Sequence, residues 1–339
     1  MGLSFWFAPE VIFEARWRRQ LHQHGGSSAT GGWAAGRDLI VVHERSTRLV
    51  GVDPRDGTTV WDVPFGTWPR AVVVSGDWCV GIAQNIAQLV CFDLSSGQRV
   101  WSADLPGFTG HLVCAGGVVL AGGWRGYTPL MAFDLRDGAP LWHSPRPVTT
   151  VAPVAVGEQV LLADPTTGDL RLIDPRDGNP VNAWPVPEPL VGDDSRTAFA
   201  TLDAGRLLIA GASGAQWQID PATSGARRFS TAGAGLPRAA LVVGGLVWLP
   251  AADGLVAVDP DTGGVRHRVR LDNRLVGLVE TDFGFVAAHR TGVLTGIDHE
   301  GKIRGRLVID RQTAGLYQHE TAGTLLFGKG TLSAGTLHG

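Results

Sequence analysis

Arginine recurs along this sequence at corresponding positions, just ahead of successive apolar segments that are rich in valine, alanine and leucine. A guanidinium suits an anion, because its planar N–H donors can bind a carboxylate or phosphate in pairs. If these arginines are gathered around the opening of one channel, their like charges repel one another unless an anion or acidic side chains offset them. The aligned positions therefore predict an anion-binding site whose ligand-binding residues are Arg70, Arg196, Arg238 and Arg274.

Residues at other aligned positions could transfer protons or stack on a ligand. Histidine exchanges protons near neutral pH, and the candidate catalytic residues in corresponding loops are His43, His111 and His289. Aromatic rings can stack on an apolar or aromatic ligand, and the further ligand-binding candidates are Trp124, Tyr127 and Tyr317. The alternative interpretation is structural: the arginines pair with local acids, and the histidines are ordinary loop residues.

A repeated phrase must position these side chains. It has an aspartate, a glycine four residues later and a tryptophan eight residues later, in residues 53–61, 93–101 and 134–142, and looser copies begin at Asp174, Asp220, Asp259 and Asp298. The short carboxylate and the glycine favour a tight turn. Apolar and polar residues alternate on both sides, so each copy predicts a hairpin. The interval of about 40 residues is typical of a four-stranded propeller blade.

By this phrase the chain resembles the PQQ-like, or quinoprotein-like, β-propeller repeat family, over essentially all 339 residues. The resemblance implies that each tryptophan docks its blade against the next. In the later blades we align Arg228, His267 and Arg306 with the tryptophan, and less regular packing is expected there. The adjacent cysteines and calcium-binding carboxylates of the quinoprotein dehydrogenases have no counterpart in this sequence. We therefore predict no PQQ, no other cofactor and no metal.

Each end of the chain contains part of a blade. Residues 1–29 include a strand with Trp17 at the tryptophan position, and residues 311–339 include three strands without a turn phrase. We predict an all-β fold in which residues 1–339 form a single domain. This domain is an eight-bladed β-propeller whose last blade is split between about 1–29 and 311–339, because closure removes exposed sheet edges. The alternative is seven blades, with the N-terminal stretch as a tail or helix.

Composition narrows the classes of partner and location. A net charge of −3 provides no strongly basic face, so nucleic acid is not expected as a partner. The sequence has no run of 18 apolar residues, and we expect no membrane partner. Residues 1–17 have no basic leader. The three cysteines are expected as buried thiols. These features predict a cytoplasmic bacterial protein.

Two functions agree with these patterns. The first is a soluble binding or scaffold protein that presents loops to a partner protein, with an anion-binding site at the mouth of the axial channel. The alternative is a cofactor-independent lyase, isomerase or cyclase that acts on an anionic small molecule, as in a specialised biosynthetic pathway. Known catalytic and phosphate-binding motifs are missing from the sequence, and propellers are frequently scaffolds, so the first hypothesis is favoured.

Overall fold

The computed structural model describes residues 11–22, 32–45, 47–67, 69–191, 199–202, 205–230, 240–271, 274–309 and 312–339. These residues form eight antiparallel, four-stranded sheets that are the blades of a ring, with a 3₁₀ turn at Gln84–Ile86. The predicted all-β, eight-bladed β-propeller is confirmed, and the seven-bladed alternative is wrong. Within the described ranges, no helix has the length and apolar character needed to cross a membrane.

In the described part of the chain, seven blades consist of four consecutive strands that are hydrogen-bonded in chain order. Neighbouring blades meet through their first strands, which therefore lie nearest the axis. The chain begins with β1 (Ile12–Gln20), and blades 1 to 4 follow: β2 (Trp33–Ala35), β3 (Ile40–Glu44), β4 (Arg48–Val52) and β5 (Thr59–Pro64); β6 (Pro69–Ser75), β7 (Trp78–Ala83), β8 (Gln88–Asp93) and β9 (Arg99–Asp104); β10 (Leu112–Ala115), β11 (Val118–Ala121), β12 (Met131–Asp134) and β13 (Pro140–His143); β14 (Val154–Val156), β15 (Gln159–Ala163), β16 (Asp169–Ile173) and β17 (Pro180–Pro185).

The remaining strands complete the ring. Blades 5 to 7 are β18 (Ala200–Thr201), β19 (Leu207–Ala210), β20 (Gln216–Asp220) and β21 (Gly225–Ser230); β22 (Leu241–Val243), β23 (Leu246–Ala251), β24 (Gly254–Val258) and β25 (Val265–Arg270); β26 (Leu275–Thr281), β27 (Gly284–His289), β28 (Val293–Asp298) and β29 (Ile303–Val308). Blade 8 contains the last strands of the chain, which are β30 (Thr313–His319), β31 (Gly323–Gly328) and β32 (Thr331–His338).

Blade 8 is assembled from both ends of the chain. Its strands are ordered β30, β31, β32 and β1, and β1 pairs antiparallel with β32 from Ile12 opposite His338 to Gln20 opposite Thr331. The predicted split blade is therefore present. We refer to the contact between blade 8 and blade 1 as the seam. At the seam, Arg19 Nε lies 2.8 Å from Oε1 of the buried Glu44.

The repeated phrase forms the outer hairpin of each blade. In blade 1, the Asp53 carboxylate accepts a hydrogen bond from the Arg55 backbone N–H at 2.7 Å, and Gly57 has the left-handed φ of 75°. Aspartate suits such a turn because its short side chain reaches the backbone two residues on, and glycine has no Cβ to oppose a positive φ. The local sequence alone therefore produces the hairpin.

Tryptophan joins four successive pairs of blades. Each ring covers the turn glycine of the next blade so closely that a Cβ there would lie within 2.9 Å of it. Each indole N–H donates to the carbonyl of the residue after that turn's aspartate: Trp17 to Pro54 (3.0 Å), Trp61 to Leu94 (2.8 Å), Trp101 to Leu135 (2.9 Å) and Trp142 to Pro175 (2.9 Å). Trp17 thus plays the expected role for the split blade.

The later blades use other side chains. In blade 1, Trp61 pairs with Gly51, which lies two residues before the turn aspartate. The corresponding residue of blade 5 is Gln218, and it pairs with Arg227 rather than with the expected Arg228. Its guanidinium donates to the Pro260 carbonyl at 2.6 Å, which is the equivalent acceptor in blade 6. In blade 7, Gly305 rather than Arg306 occupies the tryptophan position. The alignment was wrong in blade 5 because its strands pair without the skipped residue that follows the turn in blade 1: Gln218 and Ile219 pair with the adjacent residues Arg227 and Ala226, whereas Gly51 and Val52 pair with Trp61 and Thr59.

His267 of blade 6 lies at the tryptophan position, as the sequence alignment expected. Its ring is stacked on Trp248 at 6.1 Å between centroids and an interplanar angle of 9°. A Cβ at Gly301, the turn glycine of blade 7, would lie 3.1 Å from Trp248 and 3.3 Å from His267. Two rings of one blade therefore replace the single docking indole.

Candidate functional site

Most of the predicted site residues that the structure describes lie at one end of the blades. Because the strands are antiparallel, the loop before each first strand and the loop between the second and third strands emerge on the same side of the ring. We call the first of these the leading loop, the second the middle loop, and this side the leading face. Arg70 is in β6 at the start of blade 2, and Trp124 is in the middle loop of blade 3.

Arg70 and Trp124 connect blades 2 and 3. The Cζ atom of Arg70 lies 4.0 Å from the centroid of the Trp124 ring, and Cζ of the neighbouring Arg125 lies 4.9 Å from it. A guanidinium this close to an indole is attracted by the negative face of the ring. The structure therefore brings two of the predicted ligand-binding residues together and adds Arg125 to them.

Two further aromatic rings extend from Trp124 across the surface. Tyr127 packs edge-on against Trp124 at 5.4 Å, and Phe108 packs edge-on against Tyr127 at 6.0 Å. Tyr127 is 55% exposed and Phe108 is 65% exposed. We define the aromatic–arginine patch as Arg70, Phe108, Trp124, Arg125 and Tyr127.

Local backbone geometry holds the patch in place. Gly110 lets Trp124 lie flat against the leading loop, since a Cβ there would be 2.6 Å from the ring. The Tyr127 N–H donates to the Trp124 carbonyl at 3.1 Å in a tight turn. Phe108 and Arg125 have positive φ values of 63° and 52°. Phe108 was missed in the sequence; the glycines on either side of it in PGFTGH mark a turn, which is the signal that could have found it.

His111 lies beside the patch but has a structural partner. It is buried, and its Nε2 lies 3.1 Å from the Thr150 carbonyl of the next leading loop. A carbonyl only accepts, so Nε2 carries the proton in the neutral ring. The pKa of His111 is lowered to about 4, chiefly by burial and to a smaller extent by the nearby Arg70 guanidinium. The ring is therefore neutral at physiological pH.

The other candidate histidines are held in their own surroundings. His43 Nε2 lies 2.9 Å from the Gly66 carbonyl, and burial lowers the pKa of His43. His289 is buried, and its Nε2 lies 2.9 Å from the Thr295 hydroxyl within blade 7. The three candidates thus bind groups in different parts of the ring, and of the three only His111 neighbours the patch.

The remaining candidates are spread around the ring. Arg274 is exposed just before β26, where its carbonyl accepts a hydrogen bond from the Arg290 N–H at 2.9 Å. The Tyr317 ring packs into the seam, 4.6 Å from Trp33 and 5.8 Å from Phe327. Arg196 and Arg238 lie outside the described residues.

A cavity of about 490 Å³ lies along the first strands of blades 6 to 8. Its lining includes Leu241, Leu278, Gln318 and two exposed carboxylates, Glu280 and Asp282. Asp282 is in the turn after β26, at the opposite end of the blade from the leading face. Carboxylates disfavour a bound anion, so this cavity is separate from the predicted anion site. In the described part of the chain, no three His, Cys, Asp or Glu side chains are grouped to hold a metal ion.

Comparison with known proteins identifies relatives with this architecture. A PQQ-repeat family model described as outer membrane protein assembly factor BamB matches two overlapping segments, residues 14–144 and 45–266. A curated protein of the same description from Alkalilimnicola ehrlichii is 28% identical over an alignment of 171 residues, and the match covers 44% of this chain and 44% of the relative. This chain thus matches less than half the length of that relative. The resemblance to PQQ-like propellers is confirmed.

Solved structures share the complete ring. BamB from Moraxella catarrhalis has a TM-score of 0.75 and 17% identity, over 96% of this chain and 97% of that one. The computationally designed Ika8 protein has a TM-score of 0.69 and 17% identity, over 95% and 99% of the two chains. Dihydro-heme d1 dehydrogenase NirN has a TM-score of 0.70 and 13% identity, over 95% and 79%. At these identities the likeness shows the fold alone.

The expected cytoplasmic location is wrong. The family model and the curated relative are both described as outer membrane protein assembly factors, which points away from the cytoplasm. Our expectation depended on the composition of residues 1–17, and the composition of so short a stretch is weaker evidence than a family match over most of the chain.

Proposed function

Because the chain belongs to the family of the outer membrane protein assembly factor BamB, we propose that it is a binding protein that holds a partner protein during assembly. The observation that carries this proposal is the family match over residues 14–144 and 45–266, together with a closed ring of eight blades. A closed ring is suited to the task because it presents loops on a rigid frame. We further propose that all eight blades act as one domain.

The proposal extends to the location. The relatives are named for the assembly of outer membrane proteins. We propose that this chain also acts at the cell envelope, in the compartment where its partner protein is assembled. Separating the host's cells into cytoplasmic and envelope fractions tests this, with recovery of the chain in the envelope fraction as the expected result.

We place the binding surface on the leading face. The support is the aromatic–arginine patch, since arginine and large aromatic side chains are enriched where proteins bind one another. Arg274 is exposed on the same face, and Arg196 and Arg238 share its aligned position in the sequence. We propose that these cations face acidic groups of the partner, so that the predicted anion is a protein carboxylate.

For the histidines we propose a structural role. His43 and His111 bridge to backbone carbonyls of neighbouring loops, and His289 bridges to a hydroxyl inside its own blade. Such bonds fix loop positions. A neutral and buried His111 is a poor candidate for an acid, because the low pKa leaves the ring without the second, acidic proton near pH 7.

The test is to delete the gene in its own host and to measure envelope proteins and small metabolites by mass spectrometry. We expect a fall in the abundance of one or a few envelope proteins, restored by a plasmid copy of the gene. Unchanged envelope proteins with accumulation of an anionic metabolite would instead support the enzyme hypothesis. Restoration by a copy that carries His43→Gln, His111→Gln and His289→Gln would confirm that proton transfer is not needed.

A further inference from the structure

The aromatic–arginine patch differs from the other exposed apolar side chains of the molecule. Most of those are single aliphatic residues on outermost strands, such as Val60, Val100 and Val265. Scattered aliphatic residues of this kind are normal on a protein surface. In the patch, by contrast, Phe108 and Tyr127 expose more than half of their surface and touch one another.

The backbone is strained where the patch is displayed. Phe108 and Arg125 adopt left-handed φ values, which cost free energy for residues with a Cβ. Residues in such conformations persist only where their surroundings hold them, and they are concentrated at binding and catalytic sites. Here the strained conformations bring Phe108 and Arg125 to the same surface, on either side of Trp124 and Tyr127.

The charge of the patch is positive. Arg70 and Arg125 both lie over the Trp124 ring, and Arg125 is exposed. A guanidinium that lies against an aromatic ring can also donate N–H hydrogen bonds to a carboxylate in its own plane. An acidic group beside an apolar side chain therefore complements both parts of the patch.

The shape of the patch favours an extended chain. The ring centroids from Phe108 to Tyr127 and on to Trp124 are separated by steps of 6.0 and 5.4 Å. An extended peptide covers such a length with about three residues, at roughly 3.3 Å per residue. Phe108 and Tyr127 are each more than half exposed, whereas a pocket for a small ligand buries most of the ligand's surface.

We propose that the aromatic–arginine patch binds an extended acidic segment of the partner protein, with an aromatic or large aliphatic side chain next to an aspartate or glutamate. This inference depends on the proposed function, since it names the chemistry of the partner. The apolar side chain packs on Phe108 and Tyr127, and the carboxylate binds Arg125. Desolvated aromatic contacts of this kind supply much of the affinity of an interface.

A random twelve-residue peptide library displayed on phage tests this on the full chain. We expect enriched peptides to contain Asp or Glu within about three residues of Trp, Phe or Leu, the span that the ring spacing allows. A synthetic peptide with the enriched sequence should lose affinity by at least about tenfold for the double variant Phe108→Ser and Tyr127→Ser. With the charge-reversing variant Arg125→Glu, the library should be enriched in basic rather than acidic peptides.

The matched control is Val308→Ser, which removes an exposed apolar side chain of blade 7 that is 75% exposed and distant in the ring from blade 3. It should leave binding unchanged, and circular dichroism should show all variants folded. The proposal fails if no acidic sequence is enriched, or if the wild type and the patch variants select the same peptides. Dimerisation of the chain in sedimentation experiments, abolished by the same double variant, would assign the patch to a second copy and also overturn it.

The two proposals can fail separately. If gene deletion depletes envelope proteins while the library selects nothing acidic, the chain is a binding protein that uses another surface. If acidic peptides bind the patch while deletion leaves envelope proteins unchanged, the patch is a peptide site in a protein with another role.

Discussion

In the two halves of the ring, each blade packs against the turn of the next blade in different ways. From blade 8 to blade 4, an indole covers the turn glycine of the next blade and donates to the carbonyl after its aspartate. From blade 5 to blade 6, the exposed Arg227 donates to the equivalent carbonyl of Pro260, with no ring over the glycine. From blade 6 to blade 7, Trp248 and His267 stack instead.

The comparison separates two contributions to the contact between blades. The acceptor carbonyl is supplied by the turn and is kept at the junction of blades 5 and 6, whereas the buried apolar area of a docking indole is lost there. Hydrogen bonds to a backbone carbonyl contribute about 1 kcal/mol, and burial of a large aromatic side chain contributes several times more. The junctions from blade 8 to blade 4 should therefore be held together more tightly at their outer edge than the junction of blades 5 and 6.

The largest effect is expected from Trp101→Ala. This change removes a buried ring that packs on Gly138 and donates to Leu135. The free energy of unfolding should fall by about 3–5 kcal/mol, since a cavity replaces the ring. Arg227→Ala at the other type of junction should cost no more than about 1.5 kcal/mol, because that side chain is exposed. Urea denaturation measures both, and equal losses would contradict the comparison.

The next largest effect, a loss of about 3 kcal/mol in the free energy of unfolding, is expected at the seam. Glu44 is 1% exposed and pairs with Arg19 at 2.8 Å, so Arg19→Met leaves a carboxylate buried without this cation. The same seam has an exposed pair, Arg37 and Glu320, at 3.5 Å. Arg37→Met should change the free energy of unfolding by less than about 0.5 kcal/mol. Similar losses for both variants would show that burial does not decide the strength of the pair.

Much of this fold could be predicted because its signals are local. The turn phrase determines each hairpin within nine residues, and Trp17 reveals the split blade because a docking tryptophan needs a following turn. Partners with no local signal were not predictable. His43 and His111 bind backbone carbonyls, which every residue has, and Arg227 is recognised at the tryptophan position only once the strand pairing of blade 5 is known. Phe108 is an apolar residue whose exposure depends on how its loop folds.

A pH effect is expected at the junction of blades 3 and 4, where His111 binds the Thr150 carbonyl. The unfolded chain binds a proton at His111 below its ordinary pKa of 6.5, whereas the folded protein does not until about pH 4. The unfolded state therefore holds more protons in this interval, and stability must fall as the pH drops from 6.5 to 4. The contribution of this residue reaches roughly 3 kcal/mol at the lower end.

His111→Gln should flatten this dependence in denaturation curves taken between pH 4 and 7, since glutamine does not titrate and can still donate to a carbonyl. The control is His143→Gln, an exposed residue of the same blade, which should leave the slope unchanged. Identical slopes for the wild type and His111→Gln would show that other groups cause the loss of stability in acid.

The smallest effect concerns the turn glycines and tests the docking of the rings most directly. Gly138 and Gly157 both have left-handed φ values, 74° and 59°, but a Cβ at Gly138 would lie 2.6 Å from Trp101, whereas a Cβ at Gly157 meets nothing within 4 Å. Gly157→Ala should cost about 1 kcal/mol for its backbone alone. Gly138→Ala should cost about 1–2 kcal/mol more, because the methyl group displaces the ring.

The double variant Gly138→Ala with Trp101→Ala completes the test, since without the ring the methyl group has nothing to displace. The cost of Gly138→Ala in that background should fall to that of Gly157→Ala, which is a coupling of at least about 1 kcal/mol between the two positions. Additive costs would mean that the ring and the turn glycine stabilise the molecule independently. The proposed difference between this junction and that of blades 5 and 6 would then disappear.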